Sequence, residues 1–426
     1  MSGLALVAST LGADVSGSDR ASSSYSERLR AAGIEAAIGH DAANVPDGAE
    51  VIVSTAIPED NPELARARDA GLVVLHRGDL LAEAAALKRS IAVAGAHGKT
   101  TTSAMVAHVL RETGRDPSFL IGGELRSAGT NAAWGGGDWI VVEADESDRS
   151  FLKLSPDVAV ITNIELDHHA TYESEADLGA AFEEFAAGAG TRIAWAQARL
   201  EAQARRFGID EGDLQATDVE LAAGGSRFDV TDSAGSHPVT LVVPGAHNVL
   251  NALAALAAVE AAGVPIEEAA LALASFSGTG RRFEARGTTV SGARVFDDYA
   301  HHPTEVRATL EAARTLGADR VVAVFQPHLY SRTQHLARQF GEALALADSV
   351  VVVDIYPARE RAEDFPGVTG HLVAAAAARA ARGRPVYWLP GMDQAEEQLL
   401  RDLRDGDVLL TLGAGNVDSL AERLGS

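Results

Sequence analysis

The stretch Ser90-Ile91-Ala92-Val93-Ala94-Gly95-Ala96-His97-Gly98-Lys99-Thr100 decides how the rest of the chain is read. Ser90–Ala94 has strand character and runs directly into a glycine loop, and helical sequence follows from Thr100 to about Thr113. Strand, glycine loop and helix in that order make a phosphate cradle. Glycines let backbone amides converge on phosphate oxygens, and the helix N-terminus adds partial positive charge. Gly95, Ala96, His97, Gly98, Lys99, Thr100 and Thr101 are therefore candidate ATP-binding residues. Lys99 would reach the β- and γ-phosphates, and Thr100 would offer its hydroxyl to Mg²⁺.

Outward from this loop, short β-branched runs alternate with Ala/Leu-rich helical stretches, which predicts parallel α/β architecture. Three sections separate: residues 1–89, 90–284 and 285–426. In the first, strands are expected at Ala13–Gly17, Glu50–Ser54 and Leu72–Leu75, as in a Rossmann-like domain. Met1–Leu6 reads as the helix that follows such a domain's first glycine turn, so the expectation is a truncated domain whose first strand and loop precede Met1. The central section is a P-loop α/β domain with strands Trp139–Glu143 and Val158–Thr162. It carries a small, turn-rich antiparallel insertion over about Gln215–Val243, then a helix from Val249 to about Ala262. The third section is Rossmann-like, starting near Gly287, with strands at Arg294–Asp297, Arg320–Phe325, Ser349–Ile355, Val386–Leu389 and Val408–Leu412.

Composition narrows the function classes. The 426 residues carry 60 acidic against 36 basic side chains, a formal charge of -24. Such a surface repels phosphate backbones and anionic lipid, which argues against nucleic-acid or membrane partners. Without cysteine, disulfides, thiolate metal sites and cysteine nucleophiles are excluded. No run of about 18 apolar residues exists to span a bilayer, and the N-terminus lacks a secretory pattern. A cytoplasmic protein is the default.

Strand ends supply the remaining candidates. Glu143 closes an apolar strand, where a carboxylate can face Mg²⁺ beside Thr100, and His168 follows another strand end as a second candidate ligand. In the third section, Asp297-Asp298-Tyr299-Ala300-His301-His302, Gln326–Thr333 and Asp354-Ile355-Tyr356 follow successive strands. Polar residues at consecutive strand ends mark the ligand edge of an open α/β sheet, suited to an amine or carboxylate. The pair Arg281-Arg282 sits at a section junction and could clamp phosphate.

Together these motifs resemble the Mur ligases of peptidoglycan synthesis. The matching stretches are Val15–Asp19, Ser54–Ile57, His76-Arg77, Ala94–Thr102, Glu143–Phe151 and Thr162–His168. They continue with Gly245–Asn251, Gly280–Glu284, Asp298–Thr304, Gln326–Thr333 and Leu412–Asn416, in family order over essentially the whole chain. The resemblance implies UDP-sugar-, ATP- and amino-acid-binding domains. It implies a reaction in which ATP phosphorylates the lactyl carboxylate of UDP-N-acetylmuramate and the amine of L-alanine attacks the acyl phosphate. Carried residue by residue, it makes Lys99 a phosphate group and Thr100, Glu143 and His168 the metal ligands. His247 and Asn248 become adenine-side contacts and Arg282 a phosphate-side contact. Tyr299, His301 and Arg332 fall on the amino-acid side, with Lys99, His301 and Arg332 as the catalytic set, and His76 is a uridine-side contact. The chain departs from the family at Ala96 (usually Thr), Ala170 (usually Asp), Ala300 (usually Gly) and Leu329 (often Arg). A monomer or homodimer is expected. The rival readings are a recycling ligase that adds a whole peptide to the same sugar nucleotide, a dinucleotide-dependent dehydrogenase, and a non-catalytic ATP-binding protein.

Overall fold

The computed structural model describes residues 1–167 and 171–425. The chain condenses into two compact units. The first comprises Met1–Glu165, Glu173–Phe207 and Ala254–Ala272, and the second Leu166–Tyr172, Gly208–Leu253 and Leu273–Ser426.

The first unit begins with a helix, Ser2–Thr10, then β1 (Ser16–Asp19), β2 (Glu35–Ile38), β3 (Val51–Val53) and β4 (Val74–His76). A truncated Rossmann-like domain was expected here. Among the described residues β1 pairs with β2 and β3 with β4, as two parallel ladders. The reason is local: Ser16-Gly17-Ser18-Asp19 is short, polar and largely exposed, and β3 and β4 have three residues each. Such segments lack the buried apolar run that a central parallel strand needs.

The P-loop strand has that run. β5 (Arg89–Ala94) is followed by β6 (Ser118–Leu125), β7 (Thr130–Ala133), β8 (Trp139–Glu143), β9 (Val158–Ile161), β10 (Thr191–Trp195) and β11 (Arg205–Ile209). Their order is β11-β10-β9-β5-β8-β6-β7, parallel except for β6–β7. Ile91, Val93 and their alanine neighbours are wholly buried in β5, as in a sheet covered on both faces. The helix Lys99–Glu112 buries Ala104–Leu110 along its length. Because β5 lies between β8 and β9, their carboxyl ends bring the P-loop, the acidic segment after Glu143 and Thr162-Asn163 to one edge.

In the second unit, β12 (Leu214–Ala222), β13 (Gly225–Thr231) and β14 (Ser236–Leu241) form the expected antiparallel meander. A sheet follows, built from β15 (Glu284–Thr288), β16 (Arg294–Asp298), β17 (Arg320–Phe325), β18 (Ser349–Val352), β19 (Val386–Trp388) and β20 (Asp407–Leu412). Its order is β15-β16-β20-β17-β18-β19, with β15 antiparallel at one edge and the others parallel. The period-two alternation of a strand is explicit in β17. Val321, Ala323 and Phe325 pack with Val306 and Leu310, Phe340, and Val373 from three helices on one face. Val322 and Val324 pack with Leu399 and Leu420 on the other. Phe325 and Phe340 meet with ring centroids 4.9 Å apart, a contact whose loss on truncation to Ala costs about 3–5 kcal/mol. The parallel run puts the segments after β16, β17, β18 and β20 at one edge.

Candidate functional site

The P-loop in the first unit is fixed by its neighbours. Gly95 has φ +139°, and a Cβ there would lie 2.1 Å from Thr162 Oγ1, so only glycine fits. Gly98 (φ +80°) starts the helix Lys99–Glu112. Thr162 Oγ1 donates to the His97 carbonyl at 2.5 Å, and Asn163 Nδ2 donates to the same oxygen at 2.9 Å. The His97 amide donates back to Asn163 Oδ1 at 3.0 Å. The His97 peptide is thus clamped at both ends, while its ring Nε2 lies 2.5 Å from Glu165.

Lys99 Nζ donates to the Gly95 carbonyl at 2.5 Å and stands 3.1 and 3.0 Å from the two oxygens of Glu146. Burial pulls the ammonium down, but Glu146, Asp145 and Glu143 outweigh it and hold its pKa above the ordinary value. Thr100 Oγ1 donates to Glu143 Oε1 at 3.1 Å, and Glu143 Oε2 accepts the Gly122 amide at 2.7 Å. Arg77 binds Asp145 at 2.5 Å and Asp148 at 2.9 Å. Burial raises Asp145, but Lys99 and Arg77 win and bring it down to about 2. Two cations face four carboxylates. That surplus, with a hydroxyl and a carboxylate oxygen in contact at Thr100 and Glu143, suits a hard divalent cation. His168, the other expected ligand, lies outside the described residues.

His76 ends β4 and caps the helix Arg77–Ala86, its Nδ1 accepting the Gly78 amide at 3.1 Å. Its Nε2 faces Asp148 at 3.5 Å.

The second unit gathers the other candidates. The His301 Nδ1 lies 3.0 Å from the Tyr299 carbonyl, so Nδ1 carries the hydrogen and Nε2 is the acceptor. Burial lowers the His301 pKa to about 3, against the opposing charge of Glu305. His247 is lowered to about 4 by burial, again opposed by Glu305, and both imidazoles are neutral at ordinary pH. Asn248 donates to the Pro244 carbonyl at 2.8 Å and accepts from Asn251 at 3.2 Å. Arg332 is buried and binds Asp167 through Nε and Nη2, with Nη1 3.3 Å from His328. Leu329 caps the helix Tyr330–Leu344 with φ +71°.

The arginine pair divides. Arg281 is structural: it binds Asp297 at 3.0 Å and the carbonyls of Gly413 and Gly415. Both stand over the Tyr299 ring, Arg281 at 5.2 Å and Arg282 at 5.0 Å from its centroid. Asp298 accepts the amides of Phe283 and Ala300, each at 2.8 Å. It thereby ties the neighbours of Arg282 to those of His301. Burial, against the charge of Arg282, raises Asp298 to about 6.

No role for Glu146, Arg77, Asn163, Asp167 or Asp298 follows from the sequence alone. Their signal was available in part, since Glu146, Asn163, Asp167 and Asp298 each lie at or just after a strand end. Arg77 carries the same signal, since it directly follows His76 at the end of β4.

Residues 1–89 match the Mur ligase family catalytic domain, 93–259 the Mur ligase middle domain, and 281–415 the Mur ligase glutamate ligase domain. The chain is 47% identical over 440 residues to a UDP-N-acetylmuramate–L-alanine ligase of Acidithiobacillus ferrooxidans, covering 99% of this chain and 94% of that one. The solved UDP-N-acetylmuramate–alanine ligase of Thermotoga maritima superposes with a TM-score of 0.87 at 30% identity, covering 100% and 95%. A murein peptide ligase of Psychrobacter arcticus superposes with a TM-score of 0.74 at 28% identity over the same coverage.

Proposed function

The chain belongs to the Mur ligase family, and from that premise we propose that it joins L-alanine to UDP-N-acetylmuramate in peptidoglycan synthesis, converting ATP to ADP and phosphate. The observation that carries this reading is the Lys99, Thr100 and Glu143 arrangement in a chain 47% identical, over 99% of its length, to an L-alanine-adding ligase.

The chemistry asks for little covalent work from the protein. A carboxylate is a poor electrophile until one oxygen becomes a phosphate leaving group. Catalysis then lies in positioning and in stabilising the charge that builds on the transferred phosphoryl group. The loop amides of Gly95–Thr101 and the Lys99 ammonium bind and orient the phosphates. Thr100, Glu143 and His168 would hold Mg²⁺, which when bound neutralises charge on the phosphate oxygens. Arg282, His247 and Asn248 are the proposed nucleotide-side contacts, and His76 the uridine-side contact. On the amino-acid side, Asp167 takes the Nε and Nη2 edge of Arg332. That leaves Nη1, beside His328, for the carboxylate of L-alanine. His301 is held neutral down to about pH 3, so its Nε2 orients the amine as a hydrogen-bond acceptor rather than storing its proton. Tyr299 packs its ring against His301, centroids 5.3 Å apart.

The sections 1–89, 90–284 and 285–426 serve the sugar nucleotide, ATP and the amino acid respectively. The enzyme works in the cytoplasm, where ATP is available, as a monomer or homodimer. Phosphate release assayed with ATP, Mg²⁺ and UDP-N-acetylmuramate, plus either L-alanine or a tripeptide, tests this directly. Release with L-alanine is the expected result. Release with the tripeptide alone would replace the reading by peptide recycling, and release with neither would remove it.

A further inference from the structure

Four carboxylates follow or end β8, and three are held by groups other than the P-loop lysine. Glu143 accepts from Thr100 and the Gly122 amide, and Arg77 takes both Asp145 and Asp148. Glu146 is the one paired with Lys99, through both oxygens at 3.1 and 3.0 Å. Glu146 is 2% exposed and the Lys99 side chain 14%. Separating a pair this buried leaves an uncompensated charge.

An ammonium has three donors. Those of Lys99 meet the carbonyls of Gly95 at 2.5 Å and Ala96 at 3.4 Å together with the Glu146 carboxylate. The carbonyls belong to the loop and move with it. The carboxylate comes from another strand's end and carries the same sign of charge as a phosphate. A phosphate oxygen that takes Lys99 must therefore take it from Glu146.

We propose that Glu146 is a positioning residue for Lys99, holding the ammonium over the loop and competing with nucleotide phosphate for it. This rests on the reading of Gly95–Thr100 as the nucleotide site. Glu146 then sets nucleotide affinity below the loop's own capacity and helps ADP to leave. Neutralising it tightens ADP binding, lowers the KM for ATP and lowers kcat through slower product release.

The test is calorimetric titration of ADP, without metal, into the full chain as wild type, Glu146→Gln, Glu146→Asp, Lys99→Met and the double variant Glu146→Gln/Lys99→Met. ADP should bind E146Q about tenfold more tightly than wild type, equivalent to roughly 1.4 kcal/mol. E146D keeps the charge and should stay within about threefold of wild type. The E146Q gain should vanish in the Lys99→Met background. Should E146Q fail to fold, Glu146→Ala removes the same charge and carries the same expectation. Equal or weaker ADP binding by the neutral variant overturns the proposal, as does a gain that survives without Lys99 or appears equally in E146D. Absence of ADP binding by the wild type would instead overturn the nucleotide reading itself.

Discussion

Arg332 and Asp167 meet as a two-point ion pair, Nε on Oδ1 at 3.1 Å and Nη2 on Oδ2 at 2.9 Å, with both side chains buried. Removing one partner of such a pair strands a buried charge, which costs about 3–5 kcal/mol, whereas removing both can be nearly neutral. Asp167→Ala should therefore lower the stability measured by urea unfolding by that amount. Adding Arg332→Met should restore a substantial part of it. A single variant within about 1 kcal/mol of wild type would show that the pair is not closed in solution. The single variant should also raise the KM for L-alanine more than it lowers kcat, because Asp167 sets the angle of the guanidinium.

Arg281 and Arg282 are adjacent in sequence, and different roles are expected of them. Arg281 anchors Asp297 and two loop carbonyls in the second unit, so Arg281→Ala should destabilise by about 3 kcal/mol or more. Arg282→Ala should raise the KM for ATP. Thermal melts and initial-rate kinetics on the two variants check this, and reversed results would exchange the assignments.

That division marks where the sequence stops being readable. Gly95, Gly98, Lys99 and Thr100 announce themselves because a strand and a helix flank them and only glycine tolerates the backbone there. Glu143 and the polar residues after β16, β17 and β18 were visible as strand ends. By contrast, Arg281 and Arg282 differ through backbone conformation: φ is +56° at Arg281 and +49° at Phe283, which no local propensity specifies. The partners Lys99–Glu146 and Arg332–Asp167 are 47 and 165 residues apart and are set by sheet order. β6 was missed because Gly122-Gly123 breaks its apolar alternation, and β7 because Thr130-Asn131-Ala132-Ala133 has little strand propensity. Gly122 is needed there to let Glu143 approach its amide.

Acid should weaken the fold with a slope that the buried histidines set. His247 and His301 have folded pKa values near 4 and 3, below the ordinary 6.5. Between these limits the unfolded chain binds their protons and the folded chain does not, so stability falls as pH drops below 6.5. Asp298, raised from 3.8 to about 6, acts in the opposite sense, adding stability as pH falls from 6 to 3.8. Between pH 6 and 4, two histidines outweigh one aspartate by about one proton, or roughly 1.4 kcal/mol per pH unit. Urea midpoints against pH for wild type and His247→Gln/His301→Gln should differ by a steeper acid loss in the wild type. Parallel curves would mean that neither histidine is held neutral.

Gly122→Ala tests the metal assignment without altering a ligand. Glu143 Oε2 reaches the Gly122 amide at 2.7 Å, and a Cβ at Gly122 would lie 2.6 Å from that same oxygen. The carboxylate must then rotate or retreat from its place beside Thr100. Disturbing the support of a metal ligand typically weakens metal affinity by about 10–100-fold, so the Mg²⁺ concentration for half-maximal phosphate release should rise by about tenfold or more. ADP binding measured without metal should stay close to wild type, because Lys99 and the loop amides do not touch Gly122. Glu143→Gln should show the same separation more severely. If Gly122→Ala leaves the Mg²⁺ dependence unchanged while Glu143→Gln shifts it, Glu143 does not need the Gly122 amide to face the metal. If neither variant shifts it, Glu143 is not a ligand.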